Sequence, residues 1–173
     1  MHVRELKAEV ARLKAELAAA RSCCAEWESH FSLALAAACD ADRIGTGDTI
    51  VVIDGWNVVF NSSFKGEGDA HLGKQRLMDA ARAFAQAHPG TFVWLVFDGD
   101  DENAECCGSF RVSYTGGTGE HRADRLVVDY VRMMRLTGRA ARLKVVTNDK
   151  DFGRKVRDLG ADVVGVKEFV DGL

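Results

Sequence analysis

Aspartates follow three apolar stretches of the chain. Asp54 comes directly after TIVVI, Asp98 directly after TFVWLVF, and Asp149 three positions after the last residue of LKVV. A fourth, Asp124, lies in the first turn of a helix predicted to begin near residue 120. Like charges packed together repel each other unless a cation neutralises them, and oxygen ligands suit a hard ion such as Mg²⁺ or Mn²⁺. If the four meet, the expected chemistry is metal-assisted hydrolysis of a phosphodiester bond.

Each of these aspartates also has a purely structural explanation. An aspartate at the end of a strand often caps the next helix or forms a turn, so the hydrolytic interpretation depends on all four lying together. Asn57 lies beside the first of them and can orient a carboxylate or hold a phosphate oxygen. Gly55 lets the backbone turn close to the site. Asn148 is expected either to cap the following helix or to contact substrate.

The elements that must position these residues alternate along the chain. We predict strands over 49–54, 91–97, 110–114, 142–147 and 161–166, and helices over about 73–88, 120–137 and 151–159. An acidic loop over 98–108 and a Gly-rich loop over 115–119 join some of them. Nearly continuous apolar strands alternating with helices predict an α/β fold with a central parallel sheet covered by helices on both faces. Ligands bind such sheets at the carboxyl ends of the strands, where the aspartates stand.

Residues 1–36 predict one long helix, because they contain neither Gly nor Pro and are rich in helix-forming residues. Apolar residues recur in steps of three and four, with Val10 and Leu17 at heptad position a and Leu13 at d, which favours a parallel coiled-coil homodimer. The alternative is an amphipathic helix packed on its own domain. The predicted organisation is a coiled-coil helix over 1–38, a linker over 39–48 and an α/β domain over 49–173.

Composition limits the possible classes of protein. The net charge of −3 gives no general basic excess, so any contact with nucleic acid must come from a local patch. No apolar run has the ~20 residues that a membrane helix needs, and the charged N-terminus is unlike a signal peptide. Five cysteines, an odd number, indicate reduced thiols and a cytoplasmic protein.

Basic side chains near the predicted site could hold a nucleic-acid backbone. Arg122 and Lys150 are the strongest candidates, since each is close in sequence to a site aspartate, and Arg125 and Arg154 follow on the same helices. Taken singly, each is better explained as part of a solvated helix face. His121 could donate a proton, but a surface histidine is the simpler expectation.

Four segments, in this order, resemble the NYN domain of the PIN-like nucleases: VVIDGWNVVF, WLVFDG, SYTGGTGEHRAD and VVTNDKDF. The first three are most similar to its YacP-like branch, and the resemblance covers about residues 49–169. It implies a Rossmann-like fold and a ribonuclease that depends on Mg²⁺ or Mn²⁺. By position it implies metal-binding or catalytic roles for Asp54, Asp98, Asp124 and Asp149, and supporting roles for Asn57 and Asp151. The Gly-rich, basic surroundings of Asp124 depart from the family pattern, so substrate contacts there can differ.

The leading hypothesis is therefore a metal-dependent endoribonuclease, dimerised through residues 1–36, acting on RNA such as ribosome-bound mRNA, tRNA or rRNA. The main alternative is an RNA-binding module or scaffold with the same fold and little catalysis. A dehalogenase-type phosphatase is disfavoured, because Trp56 stands where that class needs an acid. A dinucleotide enzyme is disfavoured because no G-x-G-x-x-G follows the first strand.

Overall fold

The computed structural model describes residues 3–43, 49–66, 69–99, 102–117 and 121–173. Its centre is a six-stranded sheet in the order β3-β4-β2-β1-β5-β6. All neighbouring strands are parallel except β3 and β4, which pair antiparallel at one edge. The strands are β1 (Thr49–Asp54), β2 (Thr91–Phe97), β3 (Glu102–Cys107), β4 (Phe110–Thr115), β5 (Leu143–Val146) and β6 (Asp162–Val164).

Helices cover both faces of this sheet, as the sequence predicted. They are α1 (Val3–Arg43), α2 (Gly55–Phe60), α3 (Ala70–Ala87), α4 (Arg122–Leu136), α5 (Lys150–Asp158) and α6 (Val166–Asp171). Alternate residues of each central strand point to opposite faces. In β1, Ile50 and Val52 therefore pack with α1, α4 and α5, whereas Val51 and Ile53 pack with α2, α3 and α6. Both faces are buried, which explains the nearly continuous apolar strands.

Helix α1 has two parts with different surroundings. Towards its C-terminal end Leu33, Ala34, Ala37 and Ala41 are buried in the core beneath the helix, and the small alanines let it lie close to α4. Residues 9–25 are exposed on every side where their side chains are described. The interpretation of this helix as packed on its own domain is thus correct for its C-terminal third.

Two ion pairs fix the end of α1. The Asp40 carboxylate accepts from Arg111 of β4, and the Asp42 carboxylate accepts from Arg139 Nη1 at 2.5 Å. Asp42 lies near the end of α1 and Arg139 just after α4, while Cys23 of α1 and His121 before α4 line one cavity. The two helices therefore run in the same direction, and the turns of α1 before Cys23 extend beyond the edge of the sheet where α4 begins.

Several predicted boundaries were wrong. Residues 39–43, assigned to a linker, continue α1, while residues 44–48 lie outside the described part of the chain. The predicted loop after β1 contains α2, and α3 begins at Ala70 rather than near 73. The last predicted strand, 161–166, is shorter, and α6 follows it.

The acidic segment 98–108 also contains a strand that the sequence did not predict. In β3, ENAECC lacks an apolar alternation because the strand lies at the sheet edge and most of its described side chains are exposed. Its strand structure comes from antiparallel pairing with β4 across the turn at Gly108 and Ser109. Among the described helices, none has a stretch of the length and apolarity needed to cross a membrane.

Candidate active site

The strand ends bring the predicted aspartates to one edge of the sheet. Asp54 lies opposite Val96 of β2, two residues before Asp98, while its neighbour Ile53 lies opposite Val146 of β5, three residues before Asp149. The chain crosses from β1 to β2 on one side and returns from α4 to β5 on the other, so the strand order reverses around β1. In open α/β sheets such a reversal forms the crevice in which ligands bind.

Three of the four aspartates cap helices that begin at this edge. Asp54 Oδ1 accepts from the Asn57 backbone N–H at 3.2 Å, and Asp149 Oδ1 accepts from the N–H groups of Asp151 and Phe152, both at 2.8 Å. Asp98, which follows β2, caps the more distant helix α4, because its Oδ1 accepts from the Ala123 N–H at 2.7 Å.

Three of the four carboxylates, all but Asp54, keep one oxygen that accepts no hydrogen bond from the described residues. In Asp98 and Asp149 only Oδ1 accepts a hydrogen bond from the residues described, and Oδ2 of each accepts none. In Asp124 the ring of His121 contacts Oδ2 at 3.2 Å, and Oδ1 has no such partner within the described ranges. Asp98 and Asp149 can therefore cap helices and also contribute to the acid cluster, because the two roles use different oxygens.

The carboxylates also perturb one another. Burial above all, together with the negative charges of Asp124 and Asp98, raises the pKa of Asp54 to about 7, against hydrogen bonds from Asn57 and Thr147 that lower it. Burial likewise raises the pKa of Asp124, with the neighbouring charges of Asp149 and Asp98 acting in the same direction and His121 opposing them. The acids are thus close enough for the charges of their neighbours to raise the pKa values of Asp54 and Asp124.

The donor set suits a hard divalent cation, although within the described residues no three His, Cys, Asp or Glu side chains are arranged to hold one by themselves. Mg²⁺ is commonly bound by one or two carboxylates together with substrate phosphate, rather than by a complete protein cage. A cluster with raised carboxyl pKa values and oxygens that accept no hydrogen bond fits that mode of binding.

The predicted supporting asparagines hold the loops of the site together. Asn57 Oδ1 accepts from the Asn148 N–H at 2.8 Å, which ties the end of β1 to the loop after β5. Asn148 Oδ1 in turn accepts from the Val166 N–H at 3.0 Å and caps α6. Thr147 Oγ1 donates to Asp54 Oδ2 at 3.4 Å. These side chains position the aspartates more directly than they could bind substrate.

Gly55 allows α2 to begin immediately after Asp54. A Cβ atom at this position would lie 2.3 Å from Cε1 of the Phe97 ring, so any other residue would force this buried ring to shift. On the same side Trp56 Nε1 donates to the Asp98 carbonyl at 2.8 Å. The backbone carrying two of the site aspartates is therefore tightly packed.

The predicted RNA-binding residues have different surroundings. Lys150 is exposed at the start of α5, and Arg125 is exposed on α4 beside a cavity that reaches the site. Arg122 Nη2 donates to the Thr115 carbonyl at 3.1 Å and so braces the Gly-rich loop. Arg154 and Asp151 pair with each other at 2.6 Å on the exposed surface of α5, and Asp151 lines the same cavity as Asp124 and Asp149.

One supporting residue escaped the sequence reasoning. Thr115, the last residue of β4, donates from Oγ1 to Asp98 Oδ1 at 3.2 Å. The rule that identified the aspartates, position at the carboxyl end of a strand, also applies to it. It was overlooked because the predicted strand ended at residue 114, which assigned Thr115 to the Gly-rich loop.

The family model of the YacP-like NYN domain matches residues 51–173 of this chain. The chain belongs to the YacP-like NYN domain family. A crystal structure of a variant of Rae1 (YacP) from Bacillus subtilis has the same fold, with a TM-score of 0.55, 19% sequence identity, and coverage of 72% of this chain and 74% of that one. A search of curated proteins gave no match. Membership of the NYN family implies a nuclease with RNA as substrate. All of α1 lies outside the matched residues.

Proposed function

We propose that this protein is a Mg²⁺- or Mn²⁺-dependent endoribonuclease that hydrolyses RNA phosphodiester bonds at Asp54, Asp98, Asp124 and Asp149. The observation that carries the proposal is the convergence of four carboxylates from separate elements, with the pKa of Asp54 near 7. Helix capping alone does not require four carboxylates to lie so close together, because their negative charges repel each other. Membership of the NYN family supports the same activity.

The cluster would divide the work of hydrolysis among its members. One or two of Asp98, Asp124 and Asp149 would hold the ion together with substrate phosphate, because each has an oxygen that accepts no hydrogen bond from the described residues. When bound, the ion supplies positive charge to the phosphate and activates water. The carboxylate of Asp54, with a pKa near neutrality, can take the proton released as water attacks phosphorus. The bond to the leaving ribose oxygen then breaks, and that oxygen is protonated from solvent.

Cleavage of RNA labelled at either end tests this function. Single-stranded and structured RNAs are incubated with Mn²⁺, Mg²⁺ or EDTA, using wild type, Asp149→Asn and the control Asp158→Asn. Asparagine caps a helix about as well as aspartate, so the first variant removes charge while keeping α5. Asp158 lies exposed at the other end of the same helix.

Metal-dependent cleavage by wild type and Asp158→Asn, lost in Asp149→Asn, is the expected result. Internal products from both labels would identify an endonuclease, and a ladder from one end an exonuclease. RNA that binds equally to all three proteins and is never cut would refute the enzyme and leave an RNA-binding module.

We also propose that two copies pair through the N-terminal helix within the cytoplasm. Val10, Leu13 and Leu17 are 46–52% exposed and form one apolar stripe on the part of α1 that extends past the domain. Because Leu33 and the alanines after it are buried against the domain, the coiled-coil seam can include only the preceding turns. All five cysteines are free thiols, as a reducing compartment requires. Sedimentation of wild type as a dimer and of Leu13→Glu as a monomer is expected; a monomeric wild type would exclude the pairing.

A further inference from the structure

A cavity of about 710 Å³ opens between α1, α4 and α5 and reaches the acid cluster. Asp124 and Asp149 line one end of it, and Trp27 of α1 lines another part. Its volume lies in the range typical of ligand-binding clefts. Because α1 precedes the matched NYN residues, this chain adds a wall to the active-site cleft that the domain by itself does not provide.

The α1 wall carries an exposed aromatic surface. Trp27 is 60% exposed, and its ring stacks on that of Phe31 with centroids 5.4 Å apart and planes 11° from parallel. The floor beside it is apolar, formed by Val128 and Phe152, both buried. An exposed tryptophan over an apolar floor offers a flat face on which a nucleotide base can stack.

Basic side chains line the same cleft on the other two helices. Arg125 and Arg132 follow one another by seven residues along one face of α4, and Lys155 lies on α5. Arg132 is paired with Asp129 at 2.9 Å, whereas Lys155 has no ion pair with any residue in the described ranges. Cations beside an aromatic face match a nucleic-acid strand, whose phosphates and bases alternate.

We propose that this cleft, the α1 cleft, binds a single-stranded segment of the RNA substrate, with one unpaired base stacked on Trp27 and the backbone held by Arg125 and Lys155. The inference rests on the proposed ribonuclease activity and gives it a substrate class. A base in a duplex has no free face for the indole, so cleavage sites must be flanked by unpaired nucleotides. The N-terminal helix is then part of the substrate site.

The test measures binding apart from cleavage. Fluorescein-labelled oligouridylate is titrated by anisotropy with Asp149→Asn protein, which keeps α5 but cannot cut. To this background Trp27→Ala, Trp27→Tyr or the control Leu35→Ala is added. Leu35 is 45% exposed on α1 but does not line the cleft. We expect Trp27→Ala to weaken binding at least fivefold, within the range of about 5- to 150-fold for loss of one stacked base. Trp27→Tyr should restore most of it.

Oligonucleotides with a single abasic position then locate the stacked base. With Trp27 present, one position should weaken binding more than its neighbours, and that difference should vanish in Trp27→Ala. In the cleavage-competent protein, Trp27→Ala should raise KM for single-stranded RNA and leave kcat within twofold. An unchanged fold, checked by thermal unfolding, is expected because the side chain is exposed.

The outcomes separate this inference from the proposed activity. Cleavage with Trp27→Ala indistinguishable from Leu35→Ala would overturn the α1 cleft and leave the ribonuclease standing. No cleavage, with binding that still depends on Trp27 and one base, would refute the enzyme and keep the cleft. If Trp27→Ala instead abolished dimerisation without changing RNA affinity, the surface would belong to a second copy of the chain and the inference would be wrong.

Discussion

Asp54→Asn should stabilise the metal-free protein at neutral pH while abolishing cleavage. Burial and the charges of Asp98 and Asp124 raise the pKa of Asp54 to about 7. Ionisation of this carboxyl near and above neutral pH therefore lowers the stability of the folded protein. Asparagine has nearly the same shape, keeps an oxygen for the Asn57 N–H that Asp54 now caps, and carries no charge. Replacing this residue, which catalysis needs, would thus raise the free energy of unfolding.

The magnitude follows from the difference between the folded and unfolded pKa. The unfolded value is 3.8 and the folded value about 7, and each pH unit between them corresponds to 1.36 kcal/mol, which gives about 4 kcal/mol in all. Because the folded pKa is raised, the protonated group's contribution to stability is complete below about pH 4 and is lost as the pH rises to about 7. The variant's advantage should therefore grow over this interval and level off above it.

The assay is urea unfolding in EDTA at several pH values from about 4.5 to 8, with wild type, Asp54→Asn and the exposed control Asp158→Asn. A variant that is more stable near pH 8 by a few kcal/mol, and close to wild type near the acid end, is expected. Mg²⁺ or Mn²⁺ should then stabilise wild type more than Asp54→Asn, because the positive charge of a bound ion offsets the repulsion between ionised Asp54 and its neighbours, which the variant lacks.

An Asp54→Asn protein that is no more stable than wild type near pH 8 would refute the reasoning. A stability difference that does not change with pH would do the same, since it would show that Asp54 ionises without cost in the folded protein. A pH dependence equally present in Asp158→Asn relative to wild type would assign the effect to net charge rather than to the cluster.

Two further substitutions test the support of the site. Gly55→Ala places a methyl group 2.3 Å from the Phe97 ring and should lower the free energy of unfolding by about 1–3 kcal/mol in urea titrations, whereas Gly172→Ala, with no atom closer than 3.5 Å, should not. Arg111→Met removes the guanidinium that pairs with the mostly buried Asp40 carboxylate and should lower the free energy of unfolding by about 3–5 kcal/mol. Adding Asp40→Asn should recover part of this loss, and an unchanged stability of Arg111→Met would show that the ion pair does not hold α1.

The sequence was most informative about the central strands and the residues after them. β1 and β2 were predicted with their observed bounds because buried parallel strands must be continuously apolar, and a polar residue then ends them. The positions of Asp54 and Asp98 followed directly. Gly55 and Asn57 were also identified beside the site, although the short helix α2 that carries them was not, since a single turn and a half has too few residues to show a period.

The sequence did not predict the elements that depend on contacts between residues far apart in the chain. ENAECC has no strand pattern of its own and becomes β3 only because β4 supplies hydrogen-bond partners. Residues 39–43 read as a linker because their composition is polar, yet Asp40 and Asp42 find Arg111 and Arg139 and the helix continues. In each case the deciding partner is far away in the sequence.

The amino-acid sequence by itself determined where the apolar strands lie along the chain, the residue types at their ends and the family resemblance, because these depend on local periodicity and composition. The tertiary structure decided the rest. Only the register of β1 with β2 and β5 shows that their aspartates meet, and only the folded chain buries Asp54 beside the charges of Asp98 and Asp124, which together raise its pKa. Only the packing of α1 on α4 brings Trp27 to the edge of the active site, since contact between helices depends on which faces meet, and one chain's pattern permits several.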